Sequence, residues 1–91
     1  MKTDIFIVGA GFAGLVAAER LATNYNLHSL IVERRFHIGG NAYDHYDEDG
    51  VLVHKYGPHY FRTNSPKVRD YLGQFTEWNP VDYEIKSYSD G

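Results

Sequence analysis

Apolar positions change their period twice in the first third of the chain. Ile5-Phe6-Ile7-Val8 is a continuous apolar run behind Asp4, so a short strand buried on both faces is predicted over Asp4–Val8. Leu15, Ala18 and Ala22, with Val16 and Leu21 beside them, then recur at helical spacing, which predicts a helix from about Phe12 to Thr23. Asn24-Tyr25-Asn26 supplies a stop, because asparagine tolerates the left-handed conformation that ends helices. Ser29–Glu33 repeats the buried-strand pattern. Strand, helix and strand within 33 residues match one parallel βαβ unit.

The pattern is looser beyond that unit. Gly39-Gly40 marks a tight loop, and Asp47-Glu48-Asp49-Gly50 an acidic turn leading into a short strand at Val51–His54. Ser65-Pro66 reads as an N-cap with proline at the first helical position. Val68, Tyr71, Leu72 and Phe75 behind it keep the i, i+3, i+4, i+7 spacing of a short amphipathic helix. Val81, Tyr83 and Ile85 alternate with Asp82, Glu84 and Lys86 as in a half-exposed strand, and Asp90-Gly91 is a hairpin-turn dipeptide. A turn without a returning strand reads as the N-terminal piece of something longer. The expected organisation is a βαβ unit over 1–35, loops and a short strand over 36–64, and a helix plus hairpin arm over 65–91.

Composition narrows the function classes. The 91 residues hold 43% hydrophobic and 15% aromatic positions, too apolar for disorder. Four aromatics lie in residues 1–40 and ten in 43–91, so an αβ pattern gives way to an aromatic-rich α+β segment. A chain of this length has a thin core. With no cysteine, disulfides, thiolate metal sites and cysteine nucleophiles are excluded. The net charge of −3 argues against nucleic acid, yet leaves room for a small anionic ligand held by backbone amides.

Gly9-Ala10-Gly11-Phe12-Ala13-Gly14 fits G-x-G-x-x-G. The motif alone is weak. Here it follows a predicted strand, opens a predicted helix, and is followed by an acid, Glu33, nineteen residues after Gly14, as a dinucleotide fingerprint requires. Gly9 allows the tight turn, Gly11 lets the backbone approach a pyrophosphate, and Gly14 lets the helix pack on the strand. The helix N-terminus supplies amide donors and partial positive charge, and Glu33 is placed to accept ribose hydroxyls. The competing reading gives these glycines only turn and packing roles and leaves Glu33 as a surface acid.

After Glu33 come Arg34-Arg35 and Gly39-Gly40-Asn41-Ala42-Tyr43. A plain NAD unit does not need the second glycine pair. The arrangement resembles the FAD enzymes that include amine oxidases, in which an arginine usually follows the glycine pair; Asn41 stands there instead. Together with His54-Lys55-Tyr56-Gly57-Pro58-His59-Tyr60-Phe61-Arg62-Thr63-Asn64, the segment resembles the UDP-galactopyranose mutases, from Asp4 to about Asn79. Arg62 departs from the histidine often found in bacterial members.

The resemblance implies an α/β fold of Rossmann type, present as an incomplete FAD-binding domain, and a cofactor, FAD, that works reduced. It implies an isomerase in which flavin N5 displaces UDP from UDP-galactopyranose and the sugar recloses as the furanose. Carried over by position, the fingerprint backbone (Gly9, Gly11, Gly14) and Gly39-Gly40 would line FAD. Ala13, Glu33, Arg34, Asn41, His59 and Tyr60 would contact it, with His59 beside the isoalloxazine ring as the catalytic residue. The family's substrate arginines and mobile loop correspond to nothing in these residues, so the 91-residue chain is expected to be inactive alone. The alternatives are an amine-oxidase-like FAD oxidoreductase and a non-catalytic nucleotide-binding fragment.

Blander readings remain for individual residues. Without the family, His59 is a hydrogen-bonded histidine in a Gly-Pro turn, and Arg34-Arg35 a solvated pair. Tyr71, Phe75 and Trp78 suit core or interface. Tyr43, Tyr46, Tyr56, Tyr60 and Phe61 suit either a cofactor wall or a thin core. The five histidines include no helical i, i+4 pair, so no metal is expected. Placing Gly50 at position six of a calcium loop puts His45 and Tyr56 where acids are required. Ile5–Ala18 is interrupted by glycines and too short to span a bilayer. The expectation is a cytoplasmic protein without membrane or nucleic-acid partners, and a homo-oligomer because the predicted sheet has open edges.

Overall fold

A computed structural model describes residues 2–80 and 86–89. The strand expected at Val81–Ile85 and the Asp90-Gly91 turn fall on or across residues outside this range. The chain divides into two compact units, residues 1–60 and 61–91.

The first unit begins with the βαβ motif. Strand β1 (Ile5–Val8) leads to helix α1 (Phe12–Tyr25) and strand β2 (Ser29–Val32). The strands pair in parallel, with Ile5 opposite Ser29 and Val8 opposite Val32. Asp4 fixes the start of the pair from outside the ladder: its amide donates to the His28 carbonyl at 2.8 Å, and its carboxylate accepts the His28 amide at 3.0 Å. Helix α1 runs two residues past the predicted end and stops as expected, with Asn26 left-handed at φ 54°. The Asn26 amide bonds the Ala22 carbonyl, the single bond of a left-handed cap, and the Leu27 amide reaches the Leu21 carbonyl.

The expectation that both strands are buried on two faces is not met. Ile5, Ile7, Ser29 and Ile31 are half-buried, while Phe6 and Val8 are 62% and 79% exposed and Leu30 and Val32 both 39%. Helix α1 packs on both strands and lies on the Ile7 side, since a Cβ on Gly14 would touch Ile7 Cγ2. The opposite face is largely open at Phe6 and Val8 and partly covered at Leu30 and Val32. A continuous apolar run states that two faces are apolar, not that both are covered. The core is as thin as the length implies, with Ala10 the one buried hydrophobic among the described residues.

Past β2 the chain makes a short 3₁₀ turn at Gly40–Ala42 and an antiparallel hairpin, β3 (Asp44–Tyr46) with β4 (Leu52–His54). The acidic turn forms between them. One Asp47 carboxylate oxygen accepts the amides of Asp49 and Val51, both at 2.9 Å. Strand β3 was not predicted, although a turn followed by a strand calls for a preceding arm. Asp44 and His54 face each other across the ladder, with His54 Nδ1 2.9 Å from Asp44 Oδ1.

The second unit contains helix α2 (Pro66–Gly73). Ser65 caps it as expected, its Oγ accepting the Val68 amide at 3.3 Å with Pro66 in the first turn. Past Gly73 the chain tightens: the Gln74 and Phe75 amides reach back only three residues, to Tyr71 and Leu72. Phe75 therefore stands in a closing turn and meets Tyr71 edge-on at 5.4 Å. Phe61 stacks on Trp78 at 4.5 Å.

Candidate dinucleotide site

The sequence motif folds into a turn that is fixed from three sides. At Gly9, φ is +102°, a value that favours glycine, and its amide donates to the Val32 carbonyl at 2.8 Å. The space at Gly14 is decided by contact: a Cβ there would overlap the Gly9 carbonyl oxygen and press on Ile7. Helix α1 is capped by Gly11 without a side-chain hydrogen bond, and its first turn carries no acid. Its leading amides and the positive end of its dipole therefore remain available to an anion.

Glu33 closes the second side. The strand ends at Val32, one residue earlier than expected, and the Glu33 carboxylate serves the turn instead. Oε1 accepts the Ala10 amide at 2.9 Å and Oε2 the Arg35 amide at 2.8 Å. The Arg35 and Ala10 amides hold its carboxyl below the ordinary glutamate value, outweighing partial desolvation, and the Arg35 charge adds to the effect. Each oxygen of an ionised carboxylate has a further acceptor position, so Glu33 can accept further hydroxyl donors without breaking either bond.

The third side is the second glycine pair. The Gly39 amide donates to the Ala10 carbonyl at 2.7 Å. A Cβ on Gly40 would stand 3.2 Å from Gly11 Cα, and one on Gly11 3.8 Å from Gly40 Cα. The two glycine motifs thus meet backbone to backbone. Ala10, unremarkable in the sequence, is their hub: its amide goes to Glu33, its carbonyl to Gly39, and its side chain is buried.

Other expected site residues lie around this turn or along the same unit. Ala13 is exposed in the first turn of α1, Arg34 is exposed beyond Glu33, and Asn41 is exposed in the 3₁₀ turn. His59 is exposed with Nδ1 2.7 Å from the Gly57 carbonyl. That is the turn histidine of the blander reading, and it leaves Nε2 as an acceptor in the neutral ring. Tyr60 is 44% exposed. Arg35 is not simply solvated, since its guanidinium lies 4.2 Å over the Tyr56 ring. Among the described residues no three His, Cys, Asp or Glu side chains gather as a metal would require, and no helix is long and apolar enough to cross a membrane.

Residues 7–75 match the profile of the NAD(P)-binding Rossmann-like domain. The chain belongs to that family. This Rossmann-like chain is also 48% identical over 83 residues to a UDP-galactopyranose mutase of Mycoplasma genitalium, a match covering 90% of the chain and 20% of the relative. It is 44% identical over 90 residues to a probable UDP-galactopyranose mutase of Klebsiella pneumoniae, covering 97% and 23%. A dTDP-fucopyranose mutase of Escherichia coli is 38% identical over 88 residues, covering 96% and 23%. The Rossmann-like chain therefore spans about a fifth of the length of the curated relatives it matches.

Proposed function

We propose that this chain is the FAD-binding portion of a sugar-nucleotide mutase that interconverts UDP-galactopyranose and UDP-galactofuranose. The observation that carries the reading is the docking of Gly39-Gly40 on the fingerprint turn, which adds a second stretch of bare backbone to a dinucleotide cradle in a chain resembling mutases. The amides at the start of α1 would hold the diphosphate, with Gly9, Gly11, Ala13 and Gly14 keeping the approach open. Glu33 would accept the adenosine ribose hydroxyls. Arg34, Gly39, Gly40, Asn41 and Tyr60 would line the cofactor, and His59 would present Nε2 to it. Bound and reduced, FAD supplies the nucleophile this chemistry needs. On this reading the protein would act in the cytoplasm, and the open edges of the β1–β2 pair support self-association of the chain.

The test is made on the full-length protein. It should retain visible flavin absorbance after gel filtration with FAD and should not bind NAD comparably. Under reducing conditions it should convert UDP-galactopyranose. Stable NAD binding without flavin would overturn the FAD reading, and amine oxidation with peroxide release would move the protein to the oxidoreductases. The likeness to a dTDP-fucopyranose mutase makes dTDP-fucopyranose the competing substrate in the same assay.

A further inference from the structure

Gly39 and Gly40 are held on the fingerprint turn by a loop whose own closure lies at its two flanks. His37, before the glycines, stacks on Tyr43, after them, with ring centroids 3.8 Å apart and planes 12° from parallel. The loop doubles back tightly, since a Cβ on Gly39 would stand 3.7 Å from Tyr43 Cα and Cβ. His37 also reaches out of the loop. Its Nδ1 lies 2.9 Å from the Ile38 carbonyl and its Nε2 2.7 Å from the Tyr56 hydroxyl. A carbonyl accepts only, so Nδ1 carries the proton, and in the neutral ring Nε2 takes the Tyr56 O–H. Tyr56 is braced in turn by the Arg35 guanidinium at 4.2 Å and by Lys55 Nζ at 5.8 Å from its ring centroid. Tyr43 also stacks on His45, with ring centroids 5.8 Å apart.

We infer that His37 is a positioning residue of the dinucleotide site. Stacked on Tyr43 and bonded to Tyr56, it holds the Gly39-Gly40 loop on the fingerprint turn and ties that loop to the segment leading to His59. The inference rests on the dinucleotide reading of the site. The geometry favours it because one ring joins both stretches: His37 is two residues before Gly39, and Tyr56 three before His59. Neither partner needs to touch the cofactor.

Two variants keep the rings and delete the contact. His37→Phe retains a ring for Tyr43 but offers Tyr56 no acceptor, and Tyr56→Phe retains the face under Arg35 but has no hydroxyl. In the full-length protein each should weaken FAD binding about three- to tenfold, the loss expected of one hydrogen bond. The double variant should be no weaker than the worse single one, because both remove the same contact. A purely local stabilising role would leave FAD affinity within about twofold of the parent, or let the two losses multiply. Either result overturns the inference.

Hydrogen exchange at the Gly39 amide decides the matter without any cofactor. That amide is bonded to Ala10, and in His37→Phe it should exchange about fivefold faster, as local opening becomes easier. Unchanged exchange overturns the inference even if FAD binds. If the parent binds no dinucleotide, the functional reading fails, and faster exchange still establishes the clamp on the loop.

Discussion

Glu33 accepts the Ala10 amide at 2.9 Å and so ties the end of β2 to the fingerprint turn 23 residues earlier. The same carboxylate accepts the Arg35 amide, so one ionised group orders both the turn and the segment leading to Gly39. Its charge state is therefore a structural variable. The Arg35 and Ala10 amides and the Arg35 charge lower its pKa in the folded protein, and the sign of the pH effect follows. A depressed carboxylate contributes stability fully above its unfolded value and loses it as pH falls through its folded value.

Glu33→Gln should accordingly lower the thermal midpoint at neutral pH, because its amide nitrogen cannot accept one of the two backbone donors. The gap from the parent should hold down to about pH 4.3, the ordinary glutamate value, and close below it. Melts of both proteins across the acid range measure this. A gap that stays constant to the lowest pH would mean that the carboxylate charge plays no part.

Two helical glycines should respond to alanine with opposite signs. In α1, a Cβ on Gly14 meets the Gly9 carbonyl and Ile7, so Gly14→Ala must push the helix from the strand, costing about 1–3 kcal/mol. In α2, a Cβ on Gly73 meets nothing within 4 Å, so Gly73→Ala should stabilise by roughly 0.5–1 kcal/mol through helix propensity alone. Denaturant titration of each single variant checks both. A stabilising Gly14→Ala would contradict the packing described for the fingerprint.

The contrast between these glycines shows what was legible in the sequence. Gly14 stands in a motif whose spacing carries geometry, so its close packing is readable from the sequence. The Asn26 stop, the Asp47 turn and the Ser65 cap are readable for the same reason, each being decided by residues within a few positions, and the βαβ unit is readable because its order of periods and its length leave one parallel pairing. Contacts between distant segments are not. No local rule places the Gly39 amide on Ala10, or the Tyr56 hydroxyl on His37. The aromatic density of residues 43–60 gave no reason to choose between cofactor wall and core, and Tyr43 and Tyr56 turn to His37. Strand β3 escapes the sequence pattern because three residues, Asp44-His45-Tyr46, are too few to show a period.

The second glycine pair should be sensitive at Gly40. Its φ of +61° disfavours a side chain, and a Cβ would stand 3.2 Å from Gly11 Cα. Left-handed backbone costs an alanine roughly 1–2 kcal/mol, and relief of the contact would lift the loop from the turn. Gly40→Ala should therefore weaken dinucleotide binding by about tenfold, equivalent to ~1.4 kcal/mol. Calorimetric titration with FAD measures it. Gly50→Ala is the control, since Gly50 is also at positive φ, +80°, but lies in the acidic turn with nothing within 4 Å. It should share the backbone strain and leave binding unchanged.

The uncovered face of the β1–β2 pair separates solubility from stability. Phe6 and Val8 are 62% and 79% exposed, so replacing them removes little buried area, and surface substitutions of this kind usually stay within ~0.5 kcal/mol. Ile7 points the other way, against α1 near Gly14, and truncating a half-buried isoleucine should cost about 1–3 kcal/mol, below the full-burial range. For the chain of residues 1–91, Val8→Ser should thus leave the denaturant midpoint almost unchanged while lowering dye binding to exposed apolar surface and concentration-dependent association. Ile7→Ala should do the reverse, shifting the midpoint down. If Val8→Ser destabilises as much as Ile7→Ala, the face is covered in solution, and a change in sedimentation coefficient with concentration would identify a second copy of the chain as the cover.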